Sequence, residues 1–230
     1  MTNYRLEATQ LPASLPIFPL TGVLLLPGGQ LPLNIFEPRY LAMVSAALKT
    51  PSRLIGMVQP RVPNQADTLG EIPGSQTGQP EIYRIGCAGR IIGFNETPDG
   101  RNLITLHGIT RFRITSEATS EEGFRRINAD FSDFADDRND PKKLENIDRS
   151  YLLKTVQNYF SARQITADWD QLEKADTERL ITSLAMSIPF SPVERQALLE
   201  SVSIDDRAAM LITMMEMAGS AAANLSEISH

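Results

Sequence analysis

The stretch LPIFPLTGVLLLPGGQLPLNIFEPRY, residues 15–40, decides how the rest of the chain is read. It holds two extended segments, LPIFPL and QLPLNIF, on either side of an apolar run that Pro27, Gly28 and Gly29 bring to a halt. Glycine frees the backbone at that corner and proline fixes φ, so the pattern is strand, turn, strand. Pro38 then stands where a first helical turn accepts it, because the N–H it lacks would have no intrahelical partner there. Tyr40, Leu41, Val44 and Leu48 follow at helical spacing until Pro51 blocks continuation. Glu37, Arg39 and Tyr40 read as the opening of this helix, the glutamate complementing its dipole and the tyrosine packing onto the sheet.

Strand signals continue on the C-terminal side. Residues 53–58 form one segment, and beyond a proline- and glycine-rich loop at 60–80 the residues Tyr83, Ile85, Cys87, Gly89, Ile91 and Gly93 alternate with their neighbours. Thr97, Pro98, Asp99 and Gly100 supply a hairpin turn into a strand at 102–107. Gly108 separates that strand from another at 110–115, and a further one is expected at 124–134. About six strands with glycine-marked corners predict a small closed or half-closed barrel.

Beyond residue 134 the period changes to that of helices. DFADDRNDPKK marks the boundary, with Asp140 and Pro141 read as N-cap and first helical residue. Leu144, Ile147, Tyr151, Leu152, Val156, Tyr159 and Phe160 then share a helical face, and Leu180, Ile181, Leu184 and Ile188 repeat the pattern up to Pro189. Ser191, Pro192 and Glu194 form a capping box ahead of Leu198 and Leu199, and Ser203 with Asp206 repeats the device. In the last helix Met210, Met214 and Met217 fall on one face, which is read as a core face. The expected architecture is α+β: a barrel lobe of about six strands with one helix at 1–134, a linker at 135–140, an all-α lobe of about four helices at 141–222, and a flexible tail at 223–230.

Composition excludes several classes of function. Cys87 is the only cysteine, so neither an intramolecular disulfide nor a cysteine-rich zinc site can form, and a reducing compartment, the cytoplasm, is expected. The net charge of -6 repels polyanions on average, which argues against nucleic acid as a partner. No secretory signal is recognisable, and the apolar run at 23–26 is far too short to span a membrane. His107 lacks a nucleophile elbow or an orienting carboxylate, and it reads as a packing residue on a strand. Cys87, at an apolar position of its strand, reads as a buried inert thiol. Neither cofactor nor metal is expected, and nothing in the sequence selects an oligomeric state.

The quoted segment resembles the opening of the N-terminal, substrate-recognising domain of Lon proteases: L-P-x-x-P-L, an apolar stretch, then P-L-x-I-F-E-x-R-Y. IGCAGRI at 85–91 is similar to the family's I-G-x-x-x-x-I strand, and LHGITRFRI at 106–114 continues the likeness. FSPVERQALLESVSIDDR at 190–207 is similar to a capped E-K-Q-x-L-L-E helix followed by D-x-x-x-R, with Arg195 in place of the lysine and Ser203 in place of a common acidic residue. The resemblance runs in order from about residue 15 to about 217, and it implies a PUA-like barrel followed by a helical bundle.

No Gly-Lys pair occurs in the chain, so the phosphate-binding loop of an ATPase has no counterpart, nor has the family's Ser-Lys dyad. The resemblance therefore implies an ATP-independent, non-catalytic module of protein quality control, one that binds exposed apolar segments of unfolded polypeptides or docks a partner protein. The expected groove lies between the lobes, with Leu24, Leu25, Leu26, Phe36 and the loop 60–80 near its rim. The alternative is an RNA-binding protein of PUA-like type that uses Arg84, Arg90, Arg101, Arg111, Arg113, Arg125 and Arg126, provided they converge on one face. A small-molecule binder or sensor in the interlobe cleft is the residual reading.

Overall fold

A computed structural model describes residues 6–61, 80–118, 123–139 and 147–228, the last nine of these by backbone only. Six strands, β1 (Ser14–Pro19), β2 (Gln30–Ile35), β3 (Leu54–Val58), β4 (Ile85–Glu96), β5 (Asn102–Ala118) and β6 (Arg126–Asp130), form one mixed sheet in the order β2-β5-β4-β3-β1-β6. A further pairing of β5 with β6 closes five of them into a barrel. The sixth, β2, pairs with β5 along residues 102–107. Pro32 lies within β2, where a missing N–H is tolerated because this strand borders only one neighbour.

The barrel closes through one long strand. Gly108 was expected to end a strand, yet β5 runs through it for 17 residues, pairing β2 with its first part and β6 with its last. Phe112 sits at the centre, fully buried. A Cβ on Gly56 or Gly86 would come within 2.8 or 2.6 Å of its ring, so two bare backbones make the room it needs. Burying such a ring contributes about 2–3 kcal/mol. Leu15, Ile17, Leu54, Ile109 and Ile127 pack in the same core. β6 is shorter than the strand expected at 124–134, since a 3-10 segment, Ser132–Arg138, follows it.

The helix α1 (Pro38–Leu48) forms where Pro38 predicts it and buries Met43, Val44 and Ala47. Tyr40 packs its ring 4.3 Å from that of Phe18 on β1, with Arg39 stacked 4.6 Å above Tyr40 and paired with Glu37.

The remaining helices are α2 (Arg149–Ala162), α3 (Trp169–Lys174), α4 (Thr177–Ser187), α5 (Pro192–Glu200) and α6 (Ile204–Ile228). By contacts the chain divides into two compact units, Met1–Asp140 with Pro189–Leu199, and Pro141–Ile188 with Glu200–His230. A single cut near residue 140 therefore does not describe it, because α5 belongs with the strands. Gln59 Nε2 donates to Pro192 O at 3.1 Å, Gln196 Nε2 to Ile85 O at 3.1 Å, and Arg111 Nη1 to Leu199 O at 3.1 Å. An amphipathic pattern shows that a helix has an apolar face but not which neighbour covers it.

In the helical unit, α2 and α4 pack against α6 through Leu152, Val156, Leu180, Ile181, Leu184, Leu211 and Met215. The N-cap of α2 is Asp148, which accepts from the N–H groups of Ser150 and Tyr151. The cap expected at Asp140 and Pro141 lies outside the described residues, and Ile147 precedes the helix. Arg149 donates to Glu173 O and Ala175 O, both at 2.7 Å, and so ties the start of α2 to the end of α3. On α6 the buried methionine is Met215, and Met217, expected in the core, is 70% exposed.

Candidate functional site

The β4–β5 hairpin extends beyond the closed part of the barrel. Thr97 N donates to Arg101 O and Gly100 N to Thr97 O, so the turn forms at the residues that predict it. Along β5 the residues Ile104 and Leu106 point to the core, which by twofold alternation sends Leu103 outward. Leu103 is 44% exposed, Phe94 on β4 is 47% exposed, and Phe36, directly after β2, is 62% exposed. Register brings them to one end of the sheet, where Phe94, paired with Ile104, lies on the side of α1 and Leu103, paired with Asn34, on the opposite face.

Two depressions flank this end. One, of about 490 Å³, lies among Pro32, Leu33, Phe94 and Leu103, and another, of about 400 Å³, lies between Leu41 and Leu48 of α1 and the hairpin. Phe94 lines both. An apolar surface of this kind binds by removing its own area from water, and it offers no group for covalent chemistry.

A third cavity, of about 500 Å³, opens at the mouth of the barrel. Its floor is apolar, from Leu6, Leu15 and Leu54, and Arg90 and Arg126 stand in its wall.

Of the expected rim residues, Leu24, Leu25 and Leu26 are buried to 2% exposure or less and belong to the core. The cause lies in glycines on both sides of the contact. Gly28 N donates to Gly108 O and Gly108 N to Gly29 O, both at 2.9 Å, which lashes the segment onto β5. Leu25 fits over Gly89, where a Cβ would approach its Cδ2 to 2.7 Å. Phe36 alone of the four is exposed. The loop 60–80 lies outside the described residues apart from its ends, where Pro60 bridges Ile82 and Arg61 N donates to Glu81 O. Phe94 and Leu103 were missed by sequence reasoning. Their signal is an apolar residue on each arm of a hairpin just inside its polar turn.

Cys87 is buried, within β4. His107 is half-buried on β5, paired in register with Gln30 and Arg90. Among the described residues no group of three His, Cys, Asp or Glu side chains is placed to hold a metal ion, and no helix is long and apolar enough to cross a membrane. Among the described residues Arg101 is bound to Asp99, Arg111 to Asp137, Arg113 to Asp133 and Arg125 to Glu117. Most of their charge is thus neutralised locally.

Comparison with known proteins agrees with this architecture. The chain is 24% identical over 214 residues to "Lon protease 2" of Myxococcus xanthus, covering 89% of this chain and 24% of that protein. It is 26% identical over 217 residues to "Lon protease" of Elusimicrobium minutum, covering 91% and 24%. The chain thus spans about a quarter of the length of these curated relatives. Among solved structures, a Lon N-terminal domain protein from Xanthomonas campestris superposes with a TM-score of 0.56 at 22% identity, covering 87% of this chain and 97% of that one. The N-terminal domain of a Mycobacterium avium complex Lon protease gives 0.58 at 16% identity, covering 88% and 98%. The family model of the ATP-dependent protease La (LON) substrate-binding domain matches residues 14–217, nearly the whole chain. On this match the chain belongs to the family of the LON substrate-binding domain.

Proposed function

We propose that this chain is a non-catalytic polypeptide-recognition module that takes exposed apolar segments of unfolded chains, or an apolar surface of a partner protein, on the end of the sheet formed by Phe36, Phe94 and Leu103. The observation that carries this reading is the concentration of large exposed apolar side chains at one end of the strand unit, beside two depressions. The family's character as the substrate-binding domain of a protease supports a polypeptide as the bound class. The cytoplasm, where the lone cysteine stays reduced, is the compartment that suits it.

Binding of a reduced, carboxymethylated unfolded protein, followed by fluorescence anisotropy, tests the reading. The double variant Phe94→Ser, Leu103→Ser is expected to bind about tenfold more weakly, since apolar anchors at the centre of an interface carry most of its energy. Equal binding by the variant, or wild-type binding no tighter than that of an unrelated acidic protein, refutes it.

A further inference from the structure

We propose that the groove between α1 and the β4–β5 hairpin selects polypeptide segments of mixed charge: an apolar side chain enters among Leu41, Leu48 and Phe94, while an acidic neighbour meets Lys49 and a basic neighbour meets Glu96. The inference rests on the polypeptide recognition proposed above and adds to it the kind of segment that is taken.

The groove has two unlike walls. On α1, Leu41 and Leu48 stand two helical turns apart on one face, roughly 10 Å along the axis. Lys49, the C-cap residue, follows Leu48 directly. On the hairpin, Phe94 pairs with Ile104 and Glu96 with Asn102, and twofold alternation puts Phe94 and Glu96 on the same face of β4, roughly 7 Å apart. All five residues line one depression of about 400 Å³.

Charge selects the segment. Other charges at this end of the sheet satisfy one another locally, Arg39 with Glu37 and Arg101 with Asp99. Among the described residues Lys49 and Glu96 enter no such pair, with each other or with a third group, and both are exposed. An occupant with charge of one sign is attracted at one wall and repelled at the other. RNA and fatty acids bring only negative charge, whereas a polypeptide carries both signs beside an apolar side chain. Natural apolar segments are commonly flanked by such charges. A zwitterionic lipid headgroup also carries both signs, and the match to the substrate-binding domain of a protease favours the polypeptide.

The test uses the full chain and three labelled peptides, capped at both ends, that share one apolar centre. One is flanked by a glutamate and a lysine, one by two lysines and one by two glutamates. Fluorescence anisotropy is read at about 0.15 M salt, where charges beyond about 8 Å are largely screened. The mixed peptide is expected to bind about threefold more tightly than either of the others, the worth of one exposed charge contact. Lys49→Glu should move the preference to the two-lysine peptide, and Glu96→Lys to the two-glutamate peptide, against the negative net charge of the chain. Lys174→Glu, an equal change of charge at an exposed position of α3, should leave the order as it is. Equal binding of the three peptides overturns the inference. So does a preference that Lys49→Glu and Glu96→Lys do not move, or that Lys174→Glu moves as far. Displacement of the mixed peptide by zwitterionic vesicles or by an RNA oligonucleotide overturns it too, because the occupant is then not a polypeptide. Unfolded protein and the variant Phe94→Ser, Leu103→Ser decide the proposed function separately, since neither charge is altered there.

Discussion

Asp137→Asn is expected to destabilise the strand unit by about 3–5 kcal/mol, the cost of leaving one partner of a buried ion pair unpaired. Asp137 accepts three hydrogen bonds from Arg111: from its backbone N–H and Nε at 2.9 Å on one oxygen, and from Nη2 at 2.8 Å on the other. The two side chains are only 7% and 8% exposed, and the guanidinium lies 4.7 Å above the ring of Phe134 and donates to Leu199 O. An amide at position 137 turns one acceptor into a donor facing donors, in a place water does not reach. Two residues along the same strand stands a built-in control. Arg113 binds Asp133 at 3.0 Å with side chains 46% and 53% exposed, and Asp133→Asn should therefore cost no more than about 1 kcal/mol. Replacing both buried partners, as Arg111→Met, Asp137→Leu, should recover part of the loss. It still leaves the Arg111 N–H and Leu199 O without their partners, at about 1–3 kcal/mol.

Urea is the denaturant of choice, since guanidinium would screen both pairs. The single tryptophan, Trp169, lies in α3 of the other unit, so amide exchange along β4 and β5 is the appropriate probe. A loss under 1 kcal/mol for Asp137→Asn, or one no larger than that of Asp133→Asn, refutes the reasoning.

Gly108→Ala should destabilise by about 3 kcal/mol or more, because a Cβ there would meet Leu26 O at 2.0 Å, backbone against backbone. Gly93→Ala, where the nearest atom is the Thr105 side chain at 3.3 Å, should change urea unfolding by less than about 1 kcal/mol. Met215→Ala should cost about 2–5 kcal/mol and Met217→Ala less than about 0.5, read by thermal unfolding, given that the first is fully buried and the second lies in solvent. Burial holds the Tyr40 hydroxyl above its ordinary range despite the opposing charge of Arg39. A raised folded value means the stability Tyr40 lends is complete below the ordinary tyrosine value of about 10 and falls as pH rises through the folded one. Tyr40→Phe should accordingly flatten the alkaline limb of the stability profile and leave a comparison at neutral pH without that pH-dependent difference.

What could be read from the sequence was the local chemistry. Ser191 and Glu194 exchange the two hydrogen bonds of a capping box, at 2.8 and 3.3 Å, and Ser203 and Asp206 do the same at 3.2 and 3.0 Å. Each of these signals acts within four residues. What failed depended on distant partners. Arg149, next to the Asp148 that caps α2, is engaged with α3 more than twenty residues away, which no local pattern shows. The phase of α6 was set from methionines, but Ala208, Leu211 and Met215 define its buried face, and that series places Met217 outside. Leu24, Leu25 and Leu26 read as a sticky rim because nothing in their own sequence shows that Gly89 and Gly108 make room for them.

The motifs that carry the family resemblance are occupied mainly with holding the barrel. In LHGITRFRI, Gly108 meets the 26–29 backbone, Arg111 is buried against Asp137, Phe112 fills the centre and Ile114 joins the core. In LPIFPL, Leu15 and Ile17 are fully buried. A signature made of such residues identifies a scaffold, and the surface proposed to meet other molecules lies elsewhere, at Phe36, Phe94 and Leu103. This separation has a measurable consequence. Substitutions at the exposed positions should alter binding while leaving unfolding nearly unchanged, within about 0.5 kcal/mol, whereas Gly108 and Asp137 should alter stability first.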